Sequence, residues 1–297
     1  MYMKNYIEYV FFRLFQIVVQ LIPWGFYNCL SKFISIIIFI LFDKRREIAM
    51  KNIKNAFPNL SNREIVILAK KSFQSVTITG LEVLSMHSWN KSKISSIIKL
   101  TNPEALDFAL QKGNGVILIG GHYANWELII SCCTLLHNKN MSIVVQEQRN
   151  KFVDNKINNL RTQFGNKTIK MDKAPKQVLQ ELKENKIVAM LGDQSGKEDG
   201  LYVNFFGRLA STHKGPAIFA IRSGASLLFM QNIRFENGKY ELTLKNIPYD
   251  EINSNKENAI SILTQRITTT IENHIREFPT QWLWMHKRWK HLQNNLE

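Results

Sequence analysis

Between residues 14 and 42 the chain is almost uncharged, Lys32 being the single exception, and two apolar runs, LFQIVVQLIPWGFYNCL and FISIIIFILF, lie within it. Each falls short of the roughly 20 residues that span a bilayer comfortably, and Pro23 interrupts the first. Beyond Asp43-Lys44-Arg45-Arg46 the pattern becomes amphipathic. Ile48, Met50, Ile53 and Phe57 recur at near-helical spacing until Pro58, and Ser61-x-x-Glu64 is a capping-box signature, so residues 47–98 read as helical.

After residue 113 the periodicity alternates. Strand-like runs at 115–120, 141–146, 167–171 and 186–193 are separated by helix-like stretches at 125–137, 151–164 and 174–185. Gly165 stands where a helix would stop, and Pro175 near a first turn. A glycine-punctuated loop follows residue 193, then a helical KGPAIFAIRSG and two longer β-like runs joined by Asn237-Gly238, a hairpin signal. A long helix from about Lys256 to Phe278 precedes a tryptophan-rich tail. Strands alternating with helices predict an α/β fold: a mixed, largely parallel sheet flanked by helices, with an apolar N-terminal helical segment. One boundary is expected, between residues 1–43 and 44–297. Sites in such sheets gather beyond the carboxyl ends of strands. His122, Gln146-Glu147 and Asp193 all stand at predicted strand ends.

Charge narrows the partners. With 39 basic and 24 acidic residues the formal charge is +15, which favours an anionic surface, although the abundance of Ile, Lys and Asn fits AT-rich coding bias as well. Cys29, Cys132 and Cys133 form neither a disulfide framework nor a C-x-x-C knuckle, consistent with a reducing compartment. A cleaved signal peptide fits poorly, since the apolar region is too long and no A-x-A-like site comes after it. The positive charge after residue 43 places the remainder of the chain on the cytoplasmic side. One tilted span, a monotopic hairpin and a buried helical hairpin all remain open for the N-terminus.

The candidate chemistry sits in GGHYANWE, residues 120–127. Residues five apart on one helix are rotated by about 140° and do not face each other, so pairing His122 with Glu127 requires the histidine to precede the helix. Gly120 and Gly121 would supply the turn. Asn125 and Glu127 would then stand near the helix N-terminus, where an acceptor side chain and a carboxylate are favourable. The carboxylate would hold one imidazole nitrogen while the other takes a proton from a hydroxyl, a general base needing no protein nucleophile. The bland alternative is a structural histidine in a tight turn. HYANWE is not H-E-x-x-H, and no G-x-S-x-G elbow, Walker motif or dinucleotide fingerprint occurs.

GGHYANWE also resembles the histidine-x4-acidic motif of lipid acyltransferases, in the form found in the late (secondary) acyltransferases of lipid A biosynthesis. RREIAMKNIKNAFPNLS, QEQRNKFVDNKINNLRTQFG, LGDQSGKEDGLYVNFFGRLAST, GPAIFAIRSGA and PTQWLWMHKRWK match the pattern in order over nearly the whole chain. The resemblance implies a glycerolipid-acyltransferase-like domain over residues 44–297 behind a membrane anchor. It implies acyl transfer from acyl carrier protein to a hydroxyl of a lipid A precursor, without a cofactor, metal or nucleic acid. It also implies a place among inner-membrane phospholipids, with the active site facing the cytoplasm.

Carried over by position, His122 is the base, Glu127 its orienting partner, and Arg161 and Asp193 match required residues. Arg149 is less well matched, because Glu147-Gln148-Arg149 departs from the more usual Tyr-Arg-Pro-like form. Arg208 is placed to meet a phosphate. His286, Lys287, Arg288 and Lys290 suit a phosphate-rich interface, and Trp282, Trp284 and Trp289 suit either a core or a membrane belt. The same chemistry on an ornithine lipid, glycolipid or glycerolipid, or a non-catalytic membrane-tethered binder of anionic lipid, are the competing readings.

Overall fold

The two apolar runs fold as a helical hairpin in the computed structural model, which describes residues 2–196, 200–252 and 258–291. Helices α1 (Tyr2–Leu21) and α2 (Tyr27–Leu41) are parted at Pro23, and a short 3-10 turn over Trp24–Phe26 reverses the chain. Both lie against α4 (Asn62–Ser85), with α3 (Asp43–Ala56) leading into it. Contact with α4 falls on Tyr27, Ser31, Ser35 and Phe39, spaced four apart on one helical face; the Phe39 ring lies 5.1 Å from that of Phe73. Phe33, Ile36, Ile37 and Ile40 face outward. The helix therefore buries both of its serines and leaves Phe33 and three isoleucines exposed, the reverse of a water-facing helix. The capping box of α4 is present in full: Ser61 Oγ accepts from Glu64 N–H at 3.3 Å, and Glu64 Oε2 accepts from Ser61 N–H at 2.8 Å.

Helix α5 (Lys91–Ile97), strand β1 (Ile98–Leu100) and α6 (Glu104–Gln111) lead to the alternating part. It runs β2 (Val116–Gly120), α7 (Trp126–His137), β3 (Met141–Val145), α8 (Lys151–Thr162), β4 (Lys167–Lys170), α9 (Ala174–Lys183) and β5 (Ile187–Leu191). After β6 (Leu201–Phe205) and β7 (Arg208–Thr212) come α10 (Gly215–Ser223), β8 (Ser226–Arg234), β9 (Tyr240–Asn246) and α11 (Ala259–Glu277). Seven strands form one sheet in the order β1-β9-β8-β2-β5-β3-β4, parallel except where β8 meets β9. This is the expected mixed α/β sheet.

Helix α6, strand β1 and the β6–β7 hairpin had no clear signal in the sequence. β1 is only three residues long and pairs with β9, far along the chain. The β6–β7 hairpin lay hidden in the expected loop; its turn is Phe206-Gly207, both in left-handed conformation with φ of 55° and 75°, the geometry that suits a two-residue hairpin. The expected start of the last long helix, at about Lys256, lies outside the described residues.

The tail is core. Trp282 and Trp284 are buried and Trp289 nearly so, excluding a role as membrane-belt anchors. Arg288 corrects the expectation of a phosphate-binding face: it is only 1% exposed and is committed inward, donating to Ser211 O at 2.5 Å and Thr212 Oγ1 at 2.6 Å. Lys287 and Lys290 remain on the surface.

Candidate active site

β2 and β5 are adjacent and parallel, with Gly120 opposite Leu191, and Gly192 N–H closes the ladder on Gly120 O at 3.0 Å. Two residues beyond each strand end stand His122 and Asp193. This shared register brings together residues 71 positions apart: His122 Nδ1 lies 2.8 Å from Asp193 Oδ1. The other carboxylate oxygen accepts from His122 N–H at 2.7 Å and from Trp282 Nε1–H at 2.8 Å. Burial alone would raise the Asp193 pKa, but the facing imidazole and these hydrogen bonds outweigh it and hold the carboxyl at about 2. Asp193 is therefore a buried carboxylate whose partner nitrogen carries the proton. In the neutral Nδ1–H tautomer His122 Nε2 is an acceptor, and the Gln194 amide Nε2, 3.1 Å away, is placed to donate to it.

The carboxylate that orients His122 is thus Asp193, where the five-residue spacing had suggested Glu127. Glu127 faces elsewhere, gripping Arg161 through two parallel bonds, Nε to Oε2 at 2.8 Å and Nη2 to Oε1 at 2.5 Å. The pair is shielded, with side chains 12% and 13% exposed, so Arg161 is not a solvated surface charge. The physical reason is placement: Glu127 lies in the first turn of α7, beside the last turn of α8, and the planar guanidinium matches a carboxylate edge better than an imidazole does. Asn125 caps α7 as expected, its Oδ1 accepting from Leu128 N–H at 2.9 Å. Trp126 leans on the histidine, ring to ring at 5.0 Å.

With this geometry in view, likeness to known proteins becomes informative. The family described as bacterial lipid A biosynthesis acyltransferase matches residues 2–291. The chain belongs to this family. It is 27% identical over 266 residues to a lipid A biosynthesis palmitoleoyltransferase of Escherichia coli (strain K12), covering 84% of this chain and 80% of that protein. A lipid A biosynthesis lauroyltransferase of the same organism is 22% identical over 250 residues, 83% and 79% of the two chains. A phosphatidylinositol mannoside acyltransferase of Mycolicibacterium smegmatis (strain ATCC 700084 / mc(2)155) is 22% identical over 227 residues, 75% and 72%. Acyl transfer in lipid A biosynthesis is the activity that this membership supports.

The remaining residues of the lipid A acyltransferase reading fall into place unequally. Within GGHYANWE the residue with positive φ is Ala124, at 46°, and Gly120 and Gly121 lie outside the left-handed region. Close packing is what Gly120 serves, since a Cβ there would lie 3.0 Å from Leu191 Cδ2 and from Met230 Cε, whereas a Cβ on Gly121 would make ordinary contact with Asp193. Ala124 is pinned on both sides, its N–H to Gln281 O at 2.9 Å and its carbonyl by Thr79 Oγ1 at 2.6 Å. A non-glycine residue held there is strained, and the surrounding bonds over-determine it. Arg149 sits away from this centre in an exposed ion pair with Glu8 at 3.4 Å, and Arg208 stands at the exposed tip of the β6–β7 hairpin. Cys133 packs in the core with its thiol pushed up to about 12 by burial, which leaves it inert as an acyl carrier; the side chain of Cys132 lies outside the described set.

Sequence reading missed Trp282, Gln194 and His286 as parts of the site. His286 Nε2 accepts from Ser195 N–H at 3.3 Å, and burial pulls its pKa down to about 4. It is therefore a neutral imidazole with its proton on Nδ1. Trp282 offers a measurable check. In Trp282→Phe the buried Asp193 carboxylate loses one of its three donors, which costs about 1–3 kcal/mol in denaturant unfolding. Acyl transfer should fall less than on loss of His122, because the imidazole bond survives.

Proposed function

We propose that this protein transfers a fatty acyl chain from acyl-acyl carrier protein to a hydroxyl of a hydroxyacyl chain on a lipid A precursor, a late step in lipid A assembly. The observation that carries the reading is His122 with its Nδ1–H on buried Asp193 and its Nε2 lone pair directed outward, in a chain of this family. The acceptor hydroxyl displaces the Gln194 amide and gives its proton to Nε2 as its oxygen attacks the thioester carbonyl. Asp193 stabilises the imidazolium so formed. The tetrahedral intermediate expels the carrier thiolate, which takes the proton back. The step requires no cofactor, no metal and no covalent enzyme intermediate.

The reaction is assigned to the cytoplasmic face of the inner membrane, among its phospholipids. The window Trp24–Leu41 is long and apolar enough to cross a bilayer. Yet α2 itself has 15 residues, roughly 22 Å against a hydrocarbon core of about 30 Å, and one face of it is occupied by α4. Supporting an in-plane hairpin over a span are its outward side chains, with Phe33 67% and Leu41 70% exposed. The excess of positive charge suits both an acidic carrier protein and a phosphorylated acceptor.

Purified protein incubated with a panel of acyl-acyl carrier proteins and a lipid A precursor should yield a product heavier by one acyl group. His122→Ala should lower the rate at least about 10²-fold, the scale of general-base catalysis. Full transfer by His122→Ala would overturn the mechanism. Transfer to a phosphatidylinositol mannoside or ornithine lipid, and not to the precursor, would move the acceptor to another glycolipid or lipid class.

A further inference from the structure

A cleft of about 620 Å³ opens beside the apolar hairpin, between its turn, α4 and the end of the β8–β9 hairpin. Lys32 comes from α2, Lys71, Gln74 and Ser75 from α4, and Arg234 and Gln281 from the strand end and the tail. Its walls are braced: Gln74 Nε2 donates to Asn28 Oδ1 at 3.1 Å, and Asn28 Nδ2 to Glu236 O at 3.1 Å. Arg234 is buried and held by Ser75 Oγ at 2.6 Å. The two carboxylates that line the cleft are Glu82 and Glu236. Glu82 is already engaged by Tyr240 OH, by Trp24 Nε1–H at 3.3 Å and by Asn125 Nδ2–H at 2.9 Å, and burial raises its pKa. Lys32 and Lys71 are exposed at the mouth, and among the described residues neither is in an ion pair.

Two placements say what such a cleft would take. It adjoins the turn between α1 and α2, where Leu21 is 80% and Phe26 63% exposed, so a ligand lying here meets water-facing cations and an apolar surface together. Moreover β8 runs parallel to β2, so the cleft at the end of β8 opens on the same edge of the sheet as His122. The Glu82–Asn125 bond joins its floor to the cap of α7, whose first residue, Trp126, touches the histidine.

We propose that this cleft is the headgroup subsite for the acceptor: Lys32 and Lys71 hold a phosphate of a phosphorylated sugar lipid, Gln74 Oε1 accepts from a sugar hydroxyl, and the acyl chains lie over the hairpin towards His122, while Gln281 is a wall residue bonded at both ends of its amide to the Arg234 backbone. The inference rests on the acyl-transfer reading but assigns residues outside its catalytic centre.

Two measurements test it in full-length protein in detergent micelles. The first reads binding without turnover, as protection of Lys32 and Lys71 from an amine-reactive reagent, followed by mass spectrometry. The probes are a tetraacylated, bis-phosphorylated glucosamine disaccharide lipid, its dephosphorylated form, and phosphatidylglycerol. Protection by the first alone is expected. Equal protection by phosphatidylglycerol, or protection by none, overturns the proposal. The second compares kinetics of Lys32→Ala/Lys71→Ala with the unaltered enzyme; both positions are exposed, so folding is not threatened. KM for the phosphorylated acceptor should rise roughly tenfold, the scale of two partly screened charge-assisted contacts, with kcat and the KM for acyl donor little changed. An unchanged acceptor KM in an active enzyme sinks the subsite and leaves the acyl-transfer reading standing. If the unaltered enzyme transfers nothing to this acceptor, that reading fails, and the protection pattern alone decides whether the cleft binds the headgroup.

Discussion

Replacing Asp193 with Asn is expected to lower kcat on the order of 10³–10⁴-fold, with KM for both substrates nearly unchanged, the scale seen when a buried carboxylate behind a catalytic histidine is neutralised. An Asn side chain fits the space and still accepts from His122 N–H and Trp282 Nε1–H through its oxygen. Its amide must then face His122 Nδ1. Two donors cannot meet, so the imidazole takes the other tautomer, with the proton on Nε2, and can no longer accept one from a hydroxyl. Steady-state kinetics on folded variant protein provide the check. A loss under about tenfold would mean that Asp193 is not the group that orients the base. Because Asp193 titrates at about 2, any loss of activity in the unaltered enzyme between pH 5 and 8 comes from other groups.

The largest effect on stability is expected at the Glu127–Arg161 pair. Arg161→Met leaves a shielded carboxylate without its bidentate partner, and breaking such a pair costs about 3 kcal/mol. In a chain of 297 residues this corresponds to a fall in Tm of about 5 °C. Glu127→Gln should destabilise by a similar amount, since it strands a buried guanidinium. The double variant Glu127→Gln/Arg161→Met removes both charges and should recover part of the loss. Thermal unfolding of the four proteins gives the coupling directly, and additive losses would show that the pair contributes no mutual stabilisation. Comparing Glu127→Gln with Asp193→Asn also separates the roles. The first should broaden or weaken the site through α7 and α8, and the second should strike the proton transfer itself.

How much of this could be read from the chain depended on the range of the interaction. The strands and helices after residue 113 were legible because each carries its own periodicity and punctuation. Asn125 was legible as a cap for the same reason, its partner Leu128 being three residues away. His122 and Asp193 could each be placed at a strand end, but that β5 rather than β3 neighbours β2 is a matter of sheet order. No local pattern encodes it, so the nearest acidic residue in sequence, Glu127, was paired with the histidine instead. Trp282 reaches Asp193 across 89 residues and was legible only as an aromatic in a tail. The resemblance to lipid A acyltransferases pointed to candidate positions but not to which of them touch. Arg149 and Arg208 show the other limit: a basic residue at a matching position carries no information about its distance from His122.

The reversed polarity of α2 bears on how the protein can be handled. Val19 and Tyr27 of the hairpin form a small apolar cluster with Leu81 and Leu84 of α4. Cutting away the first 42 residues would strip that cluster open, exchanging one greasy surface for another. Solubility is therefore not gained by truncation. It would come instead from polar substitutions on the outward positions alone, Phe33, Ile36, Ile37 and Ile40, which leave the serine-lined contact with α4 intact.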